Sequence, residues 1–230
     1  MTAINYLSED GSGIYARWHV PDLVPPNRAV ELLFVFESPH VDELRKGLPV
    51  VGTAGRSALR FLQPAQPKDR SLGRFVQQSH AAGDGRIAIL NVSNVPMQEA
   101  AFVDVEAPDL GEDEWTLIEK VRRSRARSIS SMRGAVTRAI SEVLVDGLRN
   151  WLSGVATRSD GRVVAAGTFA QLMVAAAIPD LTPSPLHVPH PSFYQWNRMA
   201  NQELPDLIDA RDRFRGQPST AQHFESIHGG

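Results

Sequence analysis

Short uninterrupted apolar runs punctuate this chain, separated by stretches in which apolar residues recur at helical spacing. Leu32 to Phe36, Ile87 to Leu90 and Val163 to Ala166 are such runs, and Leu186 to Val188, introduced by Pro183 and Pro185, is a shorter apolar-containing one broken by His187. Runs without polar alternation mark strands covered on both faces, as in parallel sheets. Helices are predicted over 54–62, over 70–80 through Leu72, Phe75 and Val76, and over 169–177 with Thr168 as its cap. Ile129, Met132, Val136, Ile140, Val143, Leu144, Leu148 and Trp151 predict one long amphipathic helix over 128–152, and the remainder after Ser192, to Arg215, reads as helical. Strands alternating with helices imply an α/β fold with a parallel sheet and helices on both faces. Residues 1–29, with Pro21, Pro25 and Pro26, read as an extended lead-in. Residues 30–215 read as a single domain, 216–230 as a weakly ordered tail, and 92–114 as a long loop whose length suggests function.

Composition narrows this picture only a little. Among 230 residues, 42% are hydrophobic and 22% charged, which is ordinary for a globular chain. No window approaches the roughly 20 apolar residues that cross a bilayer, and the first residues carry no signal-peptide pattern, so the expectation is a cytoplasmic protein without a membrane partner. The absence of cysteine excludes disulfides, thiolate metal sites and the usual iron–sulfur cluster. Net charge is −2, but its distribution is uneven. An acidic stretch from Glu99 to Glu114 is followed by Lys120, Arg122, Arg123, Arg125, Arg127, Arg133 and Arg138. An ordinary solvated surface accounts for such a run; clustered arginine is also what a phosphate backbone binds.

Chemistry concentrates where the strands end. Glu37-Ser38-Pro39-His40 follows the first run, and His190-Pro191-Ser192 follows the last. Ligands of parallel sheets bind at the carboxyl ends of strands, so a carboxylate and an imidazole could share one cleft. A Ser-His hydrolase using Ser38 and His190 lacks the Gly-x-Ser-x-Gly elbow and a third acid. A metal hydrolase using Glu37, His40, His187 and His190 is disfavoured, because a spacing of three on a strand sends His187 and His190 to opposite faces. No metal is expected.

Four pieces in this order resemble the uracil-DNA glycosylase superfamily across roughly residues 30–200. They are the acid-Ser-Pro strand end, Gly47-Leu48-Pro49-Val50-Val51-Gly52-Thr53-Ala54-Gly55-Arg56, the strand ending in Asn91, and His190-Pro191-Ser192. The nearest branch is the bacterial and archaeal thermophile type. The resemblance implies a three-layer α/β/α sandwich around a four-stranded parallel sheet. It also implies hydrolysis, without a cofactor, of the N-glycosidic bond of a base flipped out of DNA, since that bond is unreachable in the stacked duplex. DNA is the implied partner, and a monomer is the favoured state.

By the same resemblance, Glu37 orients water and stabilises the cationic sugar, while His190 donates a hydrogen bond to the leaving base. Asn91 reads the base edge, Ser38 stands where other branches carry Asp, Asn or Ala, and Ser192 holds the loop or a phosphate. Phe193, Tyr194 and Trp196 fall where the family inserts an apolar wedge into DNA, or else they pack the loop against the last helix. From their clustered charge, Arg122, Arg123, Arg125 and Arg127 are the expected backbone-contacting strip. Three departures redirect the expected target. The cluster-binding cysteines of the nearest branch are missing, Phe36 replaces the glycine that opens the first motif while His40 stands where relatives have Gly or a Tyr at the pyrimidine C5 edge, and Val50 replaces a stacking Phe. A lost stacking ring removes about 1–3 kcal/mol of base contact and opens space. The expected substrate is therefore a modified pyrimidine, hypermodified phage DNA in an antiviral defence setting included, rather than plain uracil. The alternatives are a uracil-DNA glycosylase of base-excision repair and an inactive DNA-binding module on the same fold.

Overall fold

A computed structural model describes residues 2–8, 11–26, 30–154, 157–192, 195–199 and 204–216. In chain order the elements are α1 (Ala3–Leu7), β1 (Val30–Phe36), α2 (Val41–Lys46), α3 (Thr53–Leu62), α4 (Leu72–Ala81) and β2 (Ile87–Asn91). They continue with α5 (Glu112–Arg122), α6 (Ala135–Gly154), β3 (Thr157–Ala166), α7 (Thr168–Ala177), β4 (Leu186–Val188), α8 (Gln195–Met199) and α9 (Pro205–Gly216).

The strands form one four-stranded, all-parallel sheet in the order β2-β1-β3-β4. Side chains alternate between its faces, and both faces are buried. Leu33, Val35, Ala88, Leu90, Val163 and Ala165 enter one core with α1, α5, α6 and α7. Leu32, Phe34, Phe36, Ile87, Ile89, Val164 and Ala166 enter the other with α3, α4, α8 and α9. This is the three-layer α/β/α arrangement, and the double burial explains why the strands read as unbroken apolar runs. An irregularity in pairing between Val30 and Leu32 reverses the alternation, so Val30 joins the same core as Leu33.

The structure departs from the sequence reading in several places, α2 being a helix absent from that reading. The N-terminal lead-in is not merely extended: α1 folds on it, and Tyr6, Tyr15 and Trp18 are buried and meet edge-on or tilted with Trp115 and Phe102. Leu23 also bridges antiparallel to Ile89. The 92–114 loop contains a short 3-10 turn over Glu99–Phe102 and the start of α5. Glu112, Asp113 and Glu114 form the first turn of α5, where carboxylates complement the helix dipole. The helix predicted over 128–152 begins only at Ala135, because Gly134 adopts φ +93°. At α7 the cap is Gly167, and Thr168 is already helical. Finally, α8 and α9 divide the last helical stretch.

Candidate active site

Register aligns the strand ends. Phe36 pairs with Asn91, and Ala166 pairs with Val188, so Glu37, Asn91, Gly167 and the His190 loop emerge on one side of the sheet. Ser93 N–H donates to the Glu37 carbonyl at 3.2 Å and Gly167 N–H to the Val188 carbonyl at 2.9 Å, tying these exits together. Above them lies a cleft of about 520 Å³. Its lining includes Glu37, Ser38, His40, Val50, Asn91, His190 and Ser192, the full set of catalytic and substrate-contacting residues expected from the sequence. Two loops about 150 residues apart in sequence thus share one site.

The 47–56 segment forms a wall through close backbone packing. Gly47, in the left-handed region at φ +56°, ends α2, and Val50 also has positive φ, at 54°. A Cβ on Gly55 would stand 1.8 Å from the Val50 carbonyl oxygen, so only glycine lets α3 approach this turn. Glu43 closes the loop: its carboxylate accepts from His40 N–H and from Val50 N–H, each at 2.7 Å. Burial pushes the Glu43 carboxyl up to about 7 against the pull of these bonds. The sequence reading missed Glu43, although its position three residues after His40 is that of a capping-box acid. It also missed Asp22, whose carboxylate accepts from Asn91 N–H at 2.9 Å and Asn94 Nδ2 at 3.0 Å. Burial raises Asp22 to about 6.

Glu37 does not stand alone. Arg122 Nη1 donates to its Oε1 at 2.8 Å, so Arg122 belongs to the cleft rather than to an exposed strip. His190 Nδ1 lies 2.7 Å from Ser192 Oγ and accepts Ser192 N–H at 3.4 Å. A backbone N–H can only donate, so in the neutral ring Nδ1 is the acceptor and Nε2 carries the proton. Burial lowers the His190 pKa, and the charge of Glu37 opposes that shift. The Phe36 ring meets the imidazole edge-on, at 6.3 Å between centroids.

Several polar atoms around this cleft are buried without a partner. They are Ser38 Oγ, Asn91 Nδ2 and Arg122 Nε. An unsatisfied buried donor costs about 1–3 kcal/mol, so such atoms grouped at one cleft suit a ligand that brings acceptors. The amino end of α3 adds to this, since Gly52, Thr53 and Ala54 line the cleft and Gly52 offers no side-chain cap. Its first N–H groups and helix dipole favour negative charge. Among the described residues, no group of three or more His, Asp or Glu side chains could hold a metal.

The expected DNA-contacting residues separate. Trp196 is fully buried, stacks on Phe34 at 5.8 Å and donates Nε1–H to the Pro189 carbonyl at 2.7 Å. It is a core residue that anchors the His190 loop, which corrects its reading as a wedge. Phe193 and Tyr194 lie outside the described residues. Arg123 is exposed and pairs with Glu119 one turn earlier, while Arg125 and Arg127 are exposed in the turn that leaves α5. The acidic stretch is tied down within the fold, through Asp104 to Arg45, Glu106 to Arg17 and Glu114 to the Ala3 N–H.

Fold and cleft define a parallel α/β protein with a polar-lined cleft at the carboxyl ends of its strands. No protein-family model matches the chain, and no curated protein matches it in sequence. No helix among the described residues is long and apolar enough to cross a membrane, and without cysteine no cysteine-ligated iron–sulfur cluster can form.

Proposed function

We propose that the chain is a DNA glycosylase that hydrolyses the N-glycosidic bond of a flipped-out base, with a modified pyrimidine as its target. The observation that supports this best is the cleft itself. An acid, an imidazole with Nε2–H free to donate, and unspent buried donors meet there in the order the superfamily resemblance implies. As the bond breaks, its electron pair leaves with the base and the sugar becomes oxocarbenium-like. Glu37 stabilises that cation and orients water for attack at the sugar carbon; the water proton passes to the acid. His190 donates to the base oxygen where negative charge develops, as a preorganised donor in a sheltered site does most effectively. Asn91 reads the base edge, its amide offering both a donor and an acceptor.

The target follows from what lines the rest of the cleft. Val50 presents an aliphatic wall in place of an aromatic one, and His40, held by the same Glu43 carboxylate, lines the cleft beside it. About 520 Å³ falls within the roughly 300–1,000 Å³ of sites for whole small ligands and leaves room beside a pyrimidine for a substituent. Arg125 and Arg127 continue from the cleft-lining Arg122 and would meet the phosphate backbone. The base released decides between a repair role and defence against modified phage DNA.

The test uses Glu37→Gln and His190→Ala on oligonucleotides carrying substituted pyrimidines. Each variant is expected to lose base release by at least about a hundredfold, the usual scale of a removed acid–base or charge-stabilising group, while DNA binding persists. Unchanged release in both variants refutes the assignment.

A further inference from the structure

The bond between Glu37 and Arg122 is not explained by either strand-end motif. Arg122 is the last residue of α5, 85 positions beyond Glu37 in sequence. Trp115, Ile118 and Val121 bury the same helix in the core, so packing fixes where the guanidinium sits. The two side chains are only 17% and 28% exposed, which limits screening by water and salt. A surface pair of this kind would matter little; this one sits inside the cleft.

The other titratable groups lining the cleft are His190 after β4 and His40, Asp42 and Glu43 at the start of α2. Glu43 is spent on the backbone of His40 and Val50. Among the described residues, Arg122 is therefore the one permanent cation in the cleft lining, and it pairs with Glu37, the carboxylate that acts on His190.

We propose that Arg122 is a positioning residue of this site: its guanidinium holds the Glu37 carboxylate in one orientation and offsets that carboxylate's field at His190, so an ionised acid and a neutral imidazole coexist in one cleft. This rests on the assignment of Glu37 and His190 as the reacting pair. A carboxylate left unpaired beside an imidazole draws a proton onto the ring. With the ring protonated on both nitrogens, Nδ1 could no longer accept Ser192 N–H and would instead donate to Ser192 Oγ, so the bonds that aim Nε2 would be rearranged. Arg122 prevents this by charge, and the planar fork adds orientation.

The test reads His190 directly and needs no activity. Its ring 1H–15N signals, assigned with His190→Ala, are followed across the pH range in the parent protein, Arg122→Gln and Arg122→Lys. Arg122→Gln is expected to raise the His190 midpoint by at least about half a pH unit, about threefold in proton affinity, since a pKa shift reports differential interaction with the two protonation states. Arg122→Lys keeps the charge and is expected to stay close to the parent. A midpoint unmoved in Arg122→Gln, or moved equally in Arg122→Lys, overturns the proposal. Should Arg122→Gln fail to fold, Glu37→Gln decides: removing the acid leaves the cation unopposed, and the His190 midpoint must fall. An unchanged midpoint there overturns the proposal as well. Absence of base release from the parent would sink the glycosylase reading and leave this titration standing.

Discussion

Two glycine-to-alanine substitutions, both inside helices, should act in opposite directions. Gly55 lies in the first turn of α3, where an added Cβ would stand 1.8 Å from the Val50 carbonyl oxygen and 2.6 Å from its carbon. That carbonyl accepts Gly73 N–H at 3.1 Å, and a Cβ on Gly73 would in turn strike the Pro49 carbonyl at 1.9 Å, so the turn is pinned between two helices. Overpacking costs about 1–3 kcal/mol. The disturbed hydrogen bond adds about 0.5–1.5 kcal/mol. Alanine returns up to about 1 kcal/mol of helix propensity. The net expectation for Gly55→Ala is a loss of about 2 kcal/mol, or about 1 M in urea midpoint for a slope of ~2 kcal/mol/M. Gly147, in the interior of α6, meets nothing within 4 Å, so Gly147→Ala should gain about 0.5–1 kcal/mol. Urea unfolding followed by circular dichroism measures both. A Gly55→Ala protein as stable as the parent, or a Gly147→Ala protein destabilised to the same degree, would refute the close-packing account of the cleft wall.

Stability should also depend on pH in a stated direction. Burial raises Asp22 to about 6 and Glu43 to about 7, above the ~4 expected in the unfolded chain. The folded state then holds the extra protons, so the stability these groups contribute is full below pH ~4 and is lost as pH rises through about 6 and about 7. Glu43→Gln should be less stable than the parent below pH ~4, because one of the two backbone N–H groups loses its acceptor, and should show a flatter profile between pH ~5 and ~7 in urea titrations, since the amide has no proton to lose. A slope equal to the parent's would contradict the assignment. For the double variant Arg125→Gln/Arg127→Gln, the slope of log affinity for DNA against log salt should fall by about 2, measured by fluorescence anisotropy. An unchanged slope would remove both from the backbone strip.

The legible parts of this molecule are those in which period and position agree. The apolar runs of β1, β2 and β3 are buried on both faces, while the edge strand β4 leaves His187 exposed, and the polar residues at the ends of β1, β2 and β4 meet in one cleft because parallel strands bring their carboxyl ends to one side. What escaped the sequence depends on contacts between distant segments. Glu112 to Glu114 read as loop acids, yet the spacing of Trp115, Ile118 and Val121 behind them is helical, and it swings Arg122 into the site. The aromatics of the N-terminal segment are isolated in sequence and cluster only in space, around Trp115 and Phe102. Trp196 carried an ambiguous signal, since an aromatic after a strand-end loop can face a ligand or the core. Here the space above Phe34 and Phe61 takes it. Asp22 acts on the Asn91 N–H and the Asn94 amide, partners about 70 residues away that leave no local mark in the sequence, whereas Glu43 left only the three-residue spacing of a capping box.

The most direct measurement of the central claim is mass-spectrometric detection of free base and abasic site after incubation with oligonucleotides carrying uracil or C5-substituted pyrimidines. The account predicts stoichiometric release of a substituted pyrimidine with an abasic site left in the strand, slow or absent release of uracil, and loss of the reaction in Glu37→Gln. Intact DNA with every base tested while binding persists, or uracil released fastest of all, would contradict it.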